Sequence, residues 1–288
     1  MGKIALVTDS TAYLTPELRA EYGVHVIPLY VHFGTETYRD GVNLDTETSY
    51  RLLADSPTLP TTSQPSIGEF VTLYRRLAEE AEAIISIHIS SGISGTVTAA
   101  EMARQAVMEE LENPPRIYVV DSRITSVGMA LLITAAGRAI AAGKDAEEIV
   151  REVEALRERL KVVFAVDTLT YLYRGGRIGG AAALLGSMLQ IRPLLYFREG
   201  KIDLLEKART TRRARQRMLE LAEQWAGGRP IRAAIVHANA PGPADALRIR
   251  MIERFDCREL FVLEFSPVIA THVGPGTVGV ALYPVEEA

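Results

Sequence analysis

IALVTDSTAYLTPELRAEYGVHVIPLYVHF, residues 4–33, decides the architecture. The apolar run IALV (4–7) ends in a polar turn at TDS (8–10), as a strand buried on both faces does. TPELRAEYG (15–23) then carries the marks of a helix: Thr15 as N-cap, Pro16 at the first helical position and Gly23 as the stop. VHVIPLYVHF (24–33) reads as a second strand. Strand, helix and strand in immediate succession is the unit of a parallel sheet.

The alternation continues outward from there. The segment 38–45 reads as loop or hairpin, Asp45 caps a short helix over 46–54, and PTLPTTSQPS (57–66) is a proline-punctuated loop. SIGE (66–69) fits a capping box opening a helix to about Glu80. AIISIHIS (83–90) is a strand, SSGISGT its exit loop, 95–110 a helix and RIYVVDS (116–122) another strand. A small-residue helix follows from Ser126 to Ala142, and DAEE (145–148) opens a helix to about Leu160. The pattern predicts an α/β chain whose N-terminal domain, residues 1–160, is a doubly wound, mostly parallel sheet. Residues 161–288 read as a C-terminal α+β domain. Its elements are a strand in VVFAVDTL (162–169), a Gly-rich helical region over 175–190 and a hairpin over 192–208 turning at Glu199-Gly200. Then come a helix (211–226), a strand (231–237), a helix (243–254) and strands over 258–266 and 277–283. No internal repeat is visible.

Composition narrows the function classes. Apolar content of 48% and charged content of 24% are those of a soluble globular protein. A net charge of −4 gives no support for nucleic-acid binding, although arginine (27) far outnumbers lysine (5). One cysteine, Cys257, excludes an internal disulfide and argues against a thiolate metal site. The apolar stretch before Thr8 is too short for a signal-peptide core, and no apolar run reaches about 18 residues. A cytoplasmic location is expected, with at most transient membrane contact.

Ligands of doubly wound sheets bind beyond the carboxyl ends of the strands. TDST (8–11), SSGISGT (90–96) and DS (121–122) should emerge at one such edge, and TTSQPS (61–66) adds a fourth hydroxyl cluster before a helix. Together they would supply O–H and N–H donors suited to an anion such as a carboxylate; alternatively, each cluster only braces its own loop. GISGT (92–96) is one position away from a G-x-S-x-G nucleophile elbow, and His272 could serve Ser94 as a base. That makes a stand-alone serine esterase or thioesterase the alternative reading, although no residue is identifiable as the orienting acid. GPGTVG (274–279) matches a dinucleotide fingerprint but leads into a strand pattern rather than a helix. His25, His32, His88 and His237 have no ligand-like spacing, so no metal site is expected. KARTTRRARQR (207–217) puts cations in the first turn of a helix against its dipole, which marks either a functional surface or a solvated face balanced by Glu220 and Glu223. RGGRIGG (174–180) holds Arg174 and Arg177 around a flexible turn, and either could cap a helix or face a ligand.

Six ordered motifs are similar to those of the DegV family, the fatty-acid-binding subunits of bacterial fatty acid kinase. They are VTDSTA (7–12), TTSQPS with GEF (61–70), ISSGISGT (89–96), VDTLTYLYRGGRI (166–178), KARTTRRA (207–214) and HVGPGTVGVAL (272–282). The resemblance implies two domains with an apolar ligand tunnel between them, holding a long-chain fatty acid such as palmitate, stearate or oleate. It places the carboxylate on Thr62, Ser94 and His272, supported by Ser63, Gly95, Thr96, Gly274 and Gly276. Arg174 would lie near the carboxylate or face a partner, and Arg209 would dock that partner, an ATP-dependent kinase subunit forming an acyl-phosphate. The chain itself would then be a substrate-presenting protein with no cofactor and no catalysis of its own. GPG would form the turn that aims His272 into the cleft. Two positions depart from the family pattern: Gly179 stands where many relatives have a small polar residue, and Ala130 replaces the last glycine of DSxxxSxGxG. The first bears on tunnel shape along the 179–190 helix.

Overall fold

A computed structural model describes residues 3–285, with 185–190 described by backbone only. β1 (Ile4–Asp9) leads into a 3-10 turn, Ser10–Ala12, capped by the Asp9 carboxylate, which accepts from Thr11 N–H at 3.0 Å. α1 (Pro16–Glu21) is capped by Thr15 and ends at Gly23, whose φ of +60° is cheap only for glycine. β2 (Val24–Ile27) pairs parallel to β1. The chain does not continue as one strand to residue 33. Pro28 offers no N–H for the ladder, and β3 (Tyr30–Phe33) leaves for a separate sheet with β4 (Glu36–Arg39). α2 (Thr46–Asp55) follows, capped by Asp45. The expected loop over 57–66 contains a short strand, β5 (Thr61–Ser63), paired to β3 with Thr62 opposite Val31.

α3 (Ile67–Ala78) opens with the full Ser66–Glu69 capping box. β6 (Ala83–His88), α4 (Thr96–Glu110), β7 (Arg116–Asp121), α5 (Ser126–Ala141) and α6 (Ala146–Arg159) complete the first half. The sheet runs β2-β1-β6-β7, all parallel, so the strand order reverses between β1 and β6. Alternate side chains separate the two faces: Ala5 and Val7 of β1 pack with α3 and α4, while Leu6 packs with α5 and α6. The sheet is therefore doubly wound.

The second half begins with β8 (Lys161–Ala165) and α7 (Thr170–Arg174), then a 3-10 run, Gly179–Gln190. β9 (Arg192–Arg198) and β10 (Lys201–Ala208) form the expected hairpin. Glu199 and Gly200 both take positive φ, 50° and 79°, the tight turn that suits a right-twisted hairpin. α8 (Thr211–Ala226), β11 (Ile231–His237), α9 (Pro241–Arg254) and β12 (Cys257–Glu264) follow. The strand expected over 258–266 stops at Glu264, because Ser266 and Pro267 start a helix that periodicity did not announce, α10 (Pro267–Val273). β13 (Val278–Pro284) closes a six-stranded mixed sheet, β10-β9-β8-β13-β11-β12.

α8 and α9 cover one face of that sheet, and α5 covers the other while also touching β1 and β6. This explains the composition of α5, which is apolar around nearly its whole circumference because both sides are buried. Gly137 within it leaves room for the ring of Tyr22, which an ideal Cβ would approach to 2.3 Å. One apolar core thus runs from the parallel sheet through α5 to the mixed sheet.

Candidate functional site

His272 sits in the last turn of α10, only 9% exposed, with Nε2 2.7 Å from the Thr62 hydroxyl on β5. The helix aims the imidazole; the GPG turn does something else. Gly274 (φ +74°) lies so close to Tyr171 that a Cβ would stand 2.3 Å from the ring, and a Cβ on Gly276 (φ +85°) would stand 2.1 Å from the Asp167 carboxylate. The turn therefore docks against the 166–171 segment and returns the chain to β13, with Gly276 N–H donating to Ala238 O at 2.8 Å. Burial, and next the nearby Arg177 charge, lower the His272 pKa to about 4, so the ring is neutral at pH 7. Its Nδ1 has no hydrogen-bond partner among the described residues.

Around this pair the predicted loops converge. Gly175 lies against His272, and Arg177 donates to Gly175 O at 2.6 Å and to Ile93 O at 3.1 Å, linking the end of α7 to the Ser94 loop. Ser94 shares a 2.9 Å hydrogen bond with the Thr96 hydroxyl and accepts from Thr96 N–H. Gly95 packs on the Gln64 amide, where a Cβ would meet Nε2 at 3.0 Å, bringing the 90–96 and 61–66 loops together. Ser63 is held by His32, with Nε2 2.9 Å from its hydroxyl. Thr62, Ser63, Gln64, Ser94, Arg177 and His272 line one cavity.

That cavity is a slot over one face of the mixed sheet, bounded on its other side by loops that follow the parallel strands, by β5 and by the start of α5. Its apolar wall comes from Leu29 and Ile89 on one side and from Phe164, Phe197 and Val236 on the other. About 790 Å³ lies between the surrounding atoms, some of it continuous with solvent.

Not every residue singled out in the sequence reaches the slot, and exposure of Arg174 and Arg209 fits the partner-facing half of their expected placement. The parallel strands do end at one edge, but two of the four hydroxyl clusters brace loops instead of facing the slot. Asp9 accepts from Ile89 N–H at 2.8 Å, Ser10 donates to Asp40 at 2.7 Å, and Asp121 accepts from Ser91 N–H at 3.2 Å. Arg174 is exposed on α7 and does not line the slot; Arg177, three residues on, does. Arg209 is likewise exposed, at the end of β10 just before Thr210 caps α8. In the basic run, Arg213 and Arg217 pair with Glu220, and Arg217 also with Glu206, whereas Glu223 pairs with Arg254. Gly179, a departure from the family pattern, has a positive φ of 53° and lies over Ile202 O, which a Cβ would meet at 2.1 Å. The side chains of 185–190 lie outside the described residues. Thr125 and Ser126, which line the slot, were not singled out in the sequence; an S/T pair opening an apolar helix was the available signal.

The geometry also bears on the alternative chemistry. Ser94 and His272 have separate hydrogen-bond partners, Thr96 and Thr62, so the nucleophile–base pair of a serine hydrolase is not assembled. GPGTVG runs into β13, a strand, not into the helix that a dinucleotide site requires. Among the described residues no cluster of His, Cys, Asp or Glu is placed to hold a metal, and no helix is long and apolar enough to cross a membrane.

The fold and slot define a class: an α/β protein with a parallel and a mixed sheet and an apolar pocket that carries polar side chains from several loops. The DegV family model, described as "uncharacterised protein, DegV family", matches residues 3–285, and the chain belongs to that family. A DegV domain-containing protein of Halalkalibacterium halodurans is 39% identical over 285 residues, spanning 98% of this chain and 99% of the relative. Two similar solved structures are each 38% identical and fully covered. One, described as fatty acid binding of a DegV family protein from Thermus thermophilus, matches 98% of this chain with a TM-score of 0.92. The other, DegV of Bacillus subtilis, described as a fatty acid binding protein, matches 99% with a TM-score of 0.91.

Proposed function

We propose that this chain binds one long-chain fatty acid, such as palmitate, stearate or oleate, in the slot and presents its carboxylate to an ATP-dependent kinase that forms the acyl-phosphate. The observation that carries the binding half is the Thr62–His272 pair, half-buried threonine against buried imidazole, where the Ser94 loop and Arg177 meet an apolar pocket. Burying about 14 methylenes at roughly 0.8 kcal/mol each gives a gross gain near 11 kcal/mol, part of which offsets ordering and association costs. The carboxylate loses several kcal/mol of hydration. Charge-assisted hydrogen bonds of about 1.5–3 kcal/mol each, from the Thr62 and Ser94 hydroxyls, the neutral imidazole and the Arg177 guanidinium, compensate for it. Arg177 adds a charged donor to the hydroxyls and imidazole expected from the sequence. The fatty-acid-binding descriptions of the Thermus and Bacillus relatives support this half.

The kinase half rests on family resemblance and on the exposure of Arg174 and Arg209 beside and beyond the slot. In this role the chain has no cofactor and no turnover of its own; the fatty acid is its ligand. Organic extraction of the purified protein followed by mass spectrometry tests occupancy, and a thermal shift on adding palmitate or oleate tests affinity. Repeated absence of both signals refutes the binding half. Supplying the loaded chain and ATP to a candidate kinase, with acyl-phosphate trapped by hydroxylamine, tests the other half.

A further inference from the structure

The slot has a second polar station, away from the Thr62–His272 patch. α5 starts in the slot wall at Thr125, its N-cap, and Ser126, its first residue. Both are buried, 8% and 2% exposed, and neither hydroxyl has a hydrogen-bond partner among the described residues. A threonine at an N-cap ordinarily accepts from an amide of the first turn, but Thr125 makes no such bond. Ser126 also holds a positive φ of 52°, a conformation that costs free energy on a residue with a side chain. Two orphaned hydroxyls and a strained backbone in one wall destabilise the fold unless something in the slot answers them.

Their place along the slot follows from the neighbours. Ile124 O accepts from Ser90 N–H at 2.9 Å, so this corner borders the Ser94 loop. On its other side Gly128 lies against Val162 at the start of β8, where a Cβ would meet Cγ2 at 3.0 Å. Val162 and Phe164 share one face of β8 and both line the slot, whereas α7, Gly175 and the His272 contact come after the strand's far end. Val278, which follows the His272 turn, pairs with Ala165 at that far end, so the station and the Thr62–His272 pair are displaced from each other along β8. A chain with its carboxylate at His272 that runs along β8 would bring its carbons past Thr125 and Ser126.

We propose that this station recognises an oxygen carried on the hydrocarbon chain, which makes the preferred ligand class a hydroxylated long-chain fatty acid. The inference rests on the fatty-acid reading of the slot. An alcohol can donate to one hydroxyl and accept from the other, whereas a methylene leaves both unpaired. The test titrates the delipidated full chain with stearate and with monohydroxystearates whose hydroxyl is moved stepwise along the chain. One positional isomer should bind about tenfold more tightly than stearate. The advantage should shrink towards parity in Thr125→Val, which keeps shape, and in Ser126→Gly, which accepts the positive φ. Stearate binding with no isomer exceeding it overturns the proposal, as does an advantage that survives both substitutions. If neither stearate nor any isomer binds, the fatty-acid reading itself falls and takes this inference with it.

Discussion

Gly175 and His272 occupy complementary space: an ideal Cβ on Gly175 would lie 2.3 Å from His272 Nδ1. The first glycine of RGGRI is therefore matched to a side chain nearly a hundred residues away, and it keeps the imidazole against Thr62. Gly175→Ala should push the ring off the Thr62 hydroxyl. The expected result is a fold preserved by circular dichroism, stability lowered by about 1–3 kcal/mol in urea denaturation, the usual cost of overpacking, and weaker palmitate binding in calorimetry.

Thr62 satisfies Nε2 of a ring that is almost wholly buried. Thr62→Val keeps the shape and removes the partner, so the ligand-free protein should lose about 1–3 kcal/mol in urea denaturation. Ser94→Ala differs, because its hydroxyl bonds mainly within its own loop. It should cost about 1–3 kcal/mol of fatty-acid affinity. Unchanged binding in both variants would remove these hydroxyls from contact with the carboxylate.

Arg177 is the cation in the slot wall. Arg177→Met should weaken binding of palmitate by about 1.5–3 kcal/mol, the range for hydrogen bonds to charged groups. Binding of hexadecanol, which has no charge to answer, should change far less. Equal losses for acid and alcohol would mean that the arginine only shapes the loops.

Two buried groups give opposing pH dependences. His272 is lowered from 6.5 to about 4, so its contribution is complete above 6.5 and is lost as pH falls towards 4, on the order of 3 kcal/mol in all. Burial, opposed by hydrogen bonds from Ser10, Ser266 and the Val268 amide and reinforced by the Asp9 charge, raises Asp40 from 3.8 to about 7. Its contribution is complete below 3.8 and is lost as pH rises towards 7. Between pH 4 and 6.5 the two slopes oppose each other. Denaturant titrations should show His272→Gln losing stability as pH rises through this window and Asp40→Asn gaining it, with the parent protein flatter than either.

Arg209 stands exposed at the end of β10, outside the slot lining. Arg209→Ala should leave palmitate affinity within about 0.5 kcal/mol, as surface substitutions usually do. If it docks the kinase, acyl-phosphate yield with that partner should fall. Full coupling in the variant would reject the docking role.

Local chemistry was enough for most elements and for several site residues. The Thr15-Pro16 start, the Ser66–Glu69 box and the Glu199-Gly200 turn are short-range devices, complete within a few residues, so they can be read along the chain. PVIATHV (267–273) shows the limit. Its β-branched residues favour a strand, and only the Ser266-Pro267 start and burial of all seven positions make it a helix. The choice between Arg174 and Arg177 was equally hidden. Both flank the same glycines, and the positive φ of Gly176 turns one outward and the other towards the slot.

Most of the strands and helices, the parallel first sheet and the hydroxyl-bearing loops of Thr62 and Ser94 belong to the sequence itself, because periodicity and capping act between near neighbours, whereas β5 and the helix carrying His272 do not. Which of those loops meet was decided by tertiary structure. Thr62 and His272 are 210 positions apart and come together only when α10 packs against β3 and β5. The orphaned hydroxyls of Thr125 and Ser126 became visible in the same way, since whether a polar group lacks a partner depends on everything folded around it.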